Sequence, residues 1–91
     1  MSVPRPIVNV AGRLATTEDE LRDLATLGWV STTEEHGKLF MTGRHEYKAK
    51  FILHLRRKLG LTNHEIARVL AVEDAPYSVK DVPAILGRNV G

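Results

Sequence analysis

The 91-residue sequence lacks several features that define common classes of small protein. It contains no cysteine, which excludes disulfides and thiolate metal sites and fits a reducing compartment. No segment approaches the run of about 20 apolar residues that a membrane-spanning helix needs. No apolar run of signal-peptide type follows the start Met1-Ser2-Val3-Pro4-Arg5-Pro6. We therefore expect a cytoplasmic protein that does not contact a membrane.

Patterns that carry catalysis or metal binding are missing as well. The sequence has no glycine-rich phosphate loop and no pairing of a nucleophile with a base. His45-Glu46 and His64-Glu65 begin like the zinc-protease motif, but Ala49 and Arg68 stand where the second histidine is needed. We expect a protein without enzyme activity, cofactor or metal site.

The composition itself is that of a folded domain, with 43% hydrophobic and 26% charged residues. Pro4 and Pro6 oppose helix near the start of the chain. We predict a flexible arm over residues 1–6 and a single domain over residues 7–91, which ends in a short helix.

Helix signals recur along residues 7–91. Thr17-Glu18-Asp19-Glu20 and Thr62-Asn63-His64-Glu65 are capping boxes, and Gly28 and Gly60 are natural helix ends. The predicted helices are 7–14, 17–27, 44–59, one that opens at residue 62 and ends at 73–76, and one at 81–86. In the long helix we expect one buried apolar stripe: Tyr47, Phe51, Ile52, Leu55 and Leu59.

A β-hairpin is predicted between the second and third helices. Residues 29–32 and 38–41 have strand-like composition, and Gly37 supplies the positive φ that a turn needs. Trp29 and Phe40 are expected to anchor this hairpin to the helices. The expected fold class is mainly α with a small β-hairpin wing.

Three segments carry a family resemblance: residues 10–21, Leu27-Gly28-Trp29-Val30, and residues 60–70. Together they cover roughly residues 8–72 and resemble MerR-like winged helix-turn-helix proteins. The resemblance implies DNA binding, with the second helix in the major groove and basic residues on the helix and wing contacting phosphates. The segment after residue 72 is too short for that family's dimerising coiled coil and effector domain. A homodimer therefore needs another interface.

The second helix departs from the DNA-binding pattern because it opens with Glu18-Asp19-Glu20 and continues with Asp23. Carboxylates in a groove meet a wall of phosphates and are repelled. The sequence is also similar to chaperone modulators of the CbpM type, whose equivalent helix is acidic. That resemblance implies binding to a protein, a J-domain co-chaperone, rather than to DNA.

Charge is distributed unevenly along the chain. Residues 1–35 carry a net charge of −3, residues 36–72 carry +6, and residues 73–91 carry −1. The first hypothesis is a DNA-binding regulator, with these candidate nucleic-acid contacts: Arg13, Arg22, Lys38, Arg44, Lys48, Arg56 and Arg57. The alternative is a modulator of a partner or host protein, docked through the basic long helix or through an acidic surface: Glu18, Asp19, Glu20 and Asp23.

Overall fold

The computed structural model describes residues 3–72, 77 and 79–87 as mainly helical with a small antiparallel sheet. The elements are β1 (Arg5–Pro6), α1 (Ile7–Arg13), α2 (Glu18–Thr26), β2 (Thr33–Glu35), β3 (Lys38–Met41), α3 (Gly43–Arg57), α4 (Asn63–Val72), a 3-10 turn (Val79–Asp81) and α5 (Val82–Leu86). The predicted helix-rich fold with a small hairpin is thereby confirmed. The predicted helix end at 73–76 lies outside the described residues.

The chain divides into two compact units, residues 1–50 and residues 51–91, and helix α3 begins in the first and ends in the second. The first unit holds the sheet, α1 and α2. The second holds α4, the 3-10 turn and α5. The prediction of a single domain over residues 7–91, and its winged helix-turn-helix type, stay predictions. None of the described helices has both the length and the apolar character to cross a membrane.

Helices α1 and α2 are joined by a tight turn that local hydrogen bonds define. At the end of α1 the Thr16 N–H donates to the Ala11 carbonyl (2.8 Å) and the Ala15 N–H to the Gly12 carbonyl (3.3 Å). This is the Schellman pattern, and Ala15 occupies its left-handed position with φ of 54°. The Thr17 hydroxyl then caps α2 by accepting from the Glu20 N–H at 3.1 Å.

Helix α2 ends in a second Schellman motif, now built on glycine. Gly28 has φ of 80°, and the Trp29 N–H donates to the Leu24 carbonyl at 3.1 Å. The predicted strand over residues 29–32 is wrong, because the backbone bends here and β2 begins only at Thr33. The Ser31 N–H donates to the His45 ring at 3.2 Å, and Val30 is buried.

The sheet has the strand order β1-β3-β2, with both pairs antiparallel. In the hairpin Glu35 pairs with Lys38, and His36 and Gly37 between them have φ of 53° and 76°. Two consecutive positive φ values are typical of the type I′ turn that fits the twist of a hairpin. The predicted strand 38–41 matches β3, and Gly37 has the predicted positive φ, but Glu34 and Glu35, which were predicted to lie in the connection, belong to β2.

The flexible arm predicted over residues 1–6 is wrong at Arg5 and Pro6, which form β1. Arg5 pairs with Met41 and Pro6 with Phe40. The strand lies at the edge of the sheet, where a proline is tolerated because one side of the strand has no ladder to complete. Arg5 also makes an ion pair with Glu46, which holds this segment in place.

Each unit has its own buried apolar side chains. In the first unit they are Ile7, Val10, Ala11, Leu21, Leu24, Val30, Met41 and Ala49. In the second they are Phe51, Ile52, Leu53, Leu55, Leu61, Ile66, Val69, Val82 and Leu86. Tyr47 was predicted to share the buried stripe of α3, but its side chain is 48% exposed.

The second unit is ordered by the predicted capping box and by packing of α5 on α4. The Glu65 N–H donates to the Thr62 hydroxyl at 3.2 Å, and the Thr62 N–H donates back to the Glu65 carboxylate at 3.0 Å. Arg68 donates to the Ile85 carbonyl at 3.3 Å, and the rings of Phe51 and Tyr77 stack at 4.8 Å. The described part of residues 77–87 thus contributes to the packing of this unit.

Candidate binding surfaces

The exposed side of helix α2 is acidic, and we call it the α2 surface: Glu18, Asp19, Arg22 and Asp23. Asp19, Arg22 and Asp23 are exposed, and Glu18 is half-buried. Glu20 points elsewhere, since its carboxylate accepts a hydrogen bond from the Thr16 hydroxyl in the turn before the helix. Glu20, which was predicted to belong to the acidic surface, therefore bonds to the turn before α2 and is not counted in the α2 surface.

Arg22 is the only basic residue of α2, and two carboxylates of the same helix hold it. Its guanidinium lies 3.3 Å from Asp19 and 3.8 Å from Glu18. The positions three and four residues earlier face the same side of a helix, so this pairing follows from helical spacing. Such exposed pairs are weak, but they keep negative charge next to Arg22, which is one of the seven predicted nucleic-acid contacts.

Arg13 is also engaged with a carboxylate. Its Nε atom donates to Glu46 at 2.9 Å, and Arg5 donates to the other oxygen of the same carboxylate at 3.1 Å. We call these three residues the Glu46 cluster. The Glu46 side chain is only 11% exposed, so the cluster ties β1 and α1 to the first half of α3.

The sequence interpretation missed Glu46 as a structural residue. A signal was present, because Glu46 lies three and seven residues before Ala49 and Leu53, which are both buried. A charged residue on the buried side of a helix needs partners of opposite charge. The sequence could not tell which of its arginines would reach Glu46.

The start of α3 carries predicted basic residues that flank a histidine. Arg44 is exposed, and Lys48 is half-buried. Burial, reinforced by the positive charges of Arg44 and Lys48, lowers the pKa of His45 below its ordinary value of 6.5. The lowered pKa favours the neutral ring, and the Nδ1 atom of His45 accepts the Ser31 N–H at 3.2 Å.

The remaining predicted cations lie apart from this group along the chain. Lys38 is exposed on β3, directly across the ladder from Glu35. Arg56 and Arg57 belong to the second unit, where Arg56 donates to the Asn63 side chain at 2.9 Å. The seven predicted nucleic-acid contacts are thus divided between two units.

A groove of about 330 Å³ opens between α2 and the hairpin. Its apolar wall comes from Pro6, Ile7, Val8 and Leu39, and its charged rim from Glu18, Arg22 and Lys38. Val8 is 56% exposed there, so its side chain is accessible to a partner. The groove borders the α2 surface and gives a partner an apolar contact beside the charges.

Among residues 3–72, 77 and 79–87, no group of three or more histidines, aspartates and glutamates is arranged to hold a metal ion. No family model matches the chain, and neither a curated protein nor a solved structure matches it.

Proposed function

We propose that this chain is a non-enzymatic adaptor that binds a basic surface of a partner protein through the α2 surface. The observation that carries the proposal is the state of Arg22, the only cation on α2, which two neighbouring carboxylates hold. Around it Asp19 and Asp23 remain exposed. A basic partner gains ion pairs at such a surface, whereas a phosphate backbone is repelled.

The charge of the neighbouring elements also favours a basic protein partner over DNA. Residues 7–41, from α1 to β3, contain three basic and six acidic residues, a net charge of −3. In the winged helix-turn-helix proteins that the sequence resembles, the corresponding elements contact DNA. Glu34 and Glu35 extend the negative charge into the hairpin, where Lys38 stands opposite Glu35.

The resemblance to chaperone modulators names a partner to test, a J-domain co-chaperone. The adjoining groove supplies apolar contact through Val8 and Leu39, which charge alone does not provide. Ion pairs at the rim of an interface mainly set the association rate and specificity. We therefore expect apolar burial in the groove to contribute affinity and the α2 surface to select a basic partner.

The test is isothermal titration of the full chain with a purified J domain from the same organism. Asp19→Lys and Asp23→Lys should each weaken binding by about tenfold or more, because each places a cation against a basic partner. Asp81→Lys is the matched control, since it makes the same charge change at an exposed position of the second unit. Its affinity should stay within about twofold of the wild type.

Capture from a lysate of the source cells covers other partners. A candidate partner is a protein that binds to the wild type and to Asp81→Lys but not to Asp23→Lys. Each candidate is then purified and titrated in the same way. The adaptor proposal fails if both α2 variants bind every captured protein as tightly as the wild type does.

A second candidate function is binding to the nucleic-acid backbone through the start of α3. The observation in its favour is that Arg44 is exposed and Lys48 is half-exposed at the start of this helix, and that, after the larger effect of burial, their charges also lower the pKa of His45. Fluorescence anisotropy with labelled random-sequence duplex DNA tests it at low and physiological salt. Binding that falls steeply with salt and is lost in Arg44→Glu supports this function; absence of binding at low salt removes it.

A further inference from the structure

A cleft of about 260 Å³ lies beside the Glu46 cluster, on residues that the proposed adaptor function does not use. The end of α1 and the first half of α3 form its walls with six residues: Arg13, Leu14, Gly43, Glu46, Tyr47 and Lys50. All six belong to the first unit. The cleft is large enough for one small polar group and is open to solvent.

The charges around this cleft are not balanced. Glu46 is one carboxylate shared between two guanidiniums, those of Arg5 and Arg13. Among the lining residues Arg13 and Lys50 are cations and Glu46 is an anion, a net charge of +1. Arg5 pairs with Glu46 but does not line the cleft, and it brings the charge of these four residues to +2. Positive charge on the wall of a concave site attracts small anions more strongly than the same charge on a flat surface.

Hydrogen-bond donors remain for a ligand. Arg13 uses its Nε atom for Glu46, and its two Nη groups have no partner within the part of the chain that the structure describes. The Lys50 ammonium likewise has none among those residues. A guanidinium edge and an ammonium that line one cleft form the donor set that oxyanions with several acceptor oxygens prefer.

We propose that the cleft binds a phosphate group, with the Arg13 Nη groups and the Lys50 ammonium as its donors. A phosphomonoester carries a charge of about −1.5 to −2 near neutral pH, which matches the local surplus. The phosphate can belong to a phosphomonoester or to a nucleic-acid backbone, and the chemistry of the site is the same for both.

The test titrates the isotope-labelled full chain with sodium phosphate and follows backbone amide shifts by NMR. A parallel titration with sodium chloride to equal ionic strength is the reference. Saturable shifts should occur at Arg13, Leu14, Tyr47 and Lys50 with phosphate alone. The basic run at residues 56–58 in the second unit should show no saturable change. Equal shifts in chloride, or equal saturation at residues 56–58, would overturn the proposal.

Two variants test the donors. Lys50→Ala should raise the dissociation constant for phosphate about three- to tenfold, because it removes one charge-assisted contact. Lys58→Ala removes the same charge from an exposed position in the second unit and should change the constant by less than about twofold. Arg13→Lys keeps the charge but loses the guanidinium edge, and it should also weaken binding. Unchanged affinity in both Lys50→Ala and Arg13→Lys contradicts the assignment.

Two further probes distinguish the sources of the phosphate. The affinities of glycerol 3-phosphate and of a short DNA duplex are compared per phosphate group. Tighter binding of glycerol 3-phosphate identifies a phosphomonoester as the ligand. The reverse order identifies a nucleic-acid backbone. Asp19→Lys, which should weaken binding of the proposed partner protein, should leave phosphate binding in place, so the failure of either proposal is visible separately.

Discussion

Ala15 is a left-handed residue at the end of α1, in the position that glycine occupies at the end of α2. Its φ of 54° brings Cβ close to the following carbonyl oxygen, a strain of roughly 1–2 kcal/mol for an L-residue. Ala15→Gly removes that strain at a cost in chain entropy. We expect a net gain of about 0.5–1 kcal/mol in the free energy of unfolding, measured by urea denaturation.

Gly28→Ala is the matched opposite, because it adds a Cβ at φ of 80° in the same motif. It should lower the free energy of unfolding by about 1 kcal/mol. A loss of stability in Ala15→Gly would show that another contact of this turn outweighs the strain.

His45 links stability to pH. Burial and the charges of Arg44 and Lys48 lower its pKa in the folded chain, so the unfolded chain binds the proton more readily. The stabilisation from neutral His45 is therefore fully present above the unfolded value of about 6.5 and is lost as the pH falls through the lower folded pKa. We expect the urea midpoint to decrease over this range, as the Ser31 contact is also lost.

His45→Gln is the control for that pH dependence. The variant cannot gain the proton, so the decrease of its midpoint between about pH 7.5 and 5 should be smaller than in the wild type. Identical pH profiles for the two proteins would exclude His45 as the cause.

At the scale of the elements, the Glu46 carboxylate on α3 forms ion pairs with Arg5 of β1 and Arg13 of α1. Glu46→Ala leaves the guanidiniums of Arg5 and Arg13 without their acceptor and opens space beside a side chain that was 11% exposed. We expect a loss of about 1–2 kcal/mol in the free energy of unfolding. Glu34→Ala on exposed β2 should change it by less than about 0.5 kcal/mol. A similar effect of both variants would mean that the Glu46 cluster adds nothing to stability.

The second strand of the hairpin was predicted from the sequence, but the position of the first strand was not. The turn between them depends on His36 and Gly37, neighbours in sequence, so the composition predicts it. The start of β2 depends on where the chain goes after Gly28, and there the Ser31 N–H is taken by His45, fourteen residues away. A strand pattern at residues 29–32 carries no information about that contact.

For the whole molecule, the distribution of charge matters more than the net charge of +2. Residues 7–41 carry −3, so the acids of α2 should oppose binding to DNA. The double variant Asp19→Lys/Asp23→Lys changes this segment to +1. We expect it to bind random duplex DNA about tenfold more tightly than the wild type at low salt, measured by fluorescence anisotropy. An unchanged affinity would mean that α2 does not face the nucleic acid.

The ends of several helices follow from short stretches of sequence alone. Thr17, Thr62 and Gly28 mark helix ends because a cap bonds to a backbone group only a few residues away. The net charge of each segment also follows directly from its amino-acid composition.

Which charged residues form ion pairs depends on contacts between segments that are distant in the sequence. Glu46 binds Arg13 and Arg5 across separations of 33 and 41 residues, and β1 forms because β3 offers it an edge. No local pattern encodes such partners, since folding alone brings distant segments together. That pairing turned a predicted flexible arm into a strand, and it engaged Arg13, a residue that the sequence had assigned to DNA.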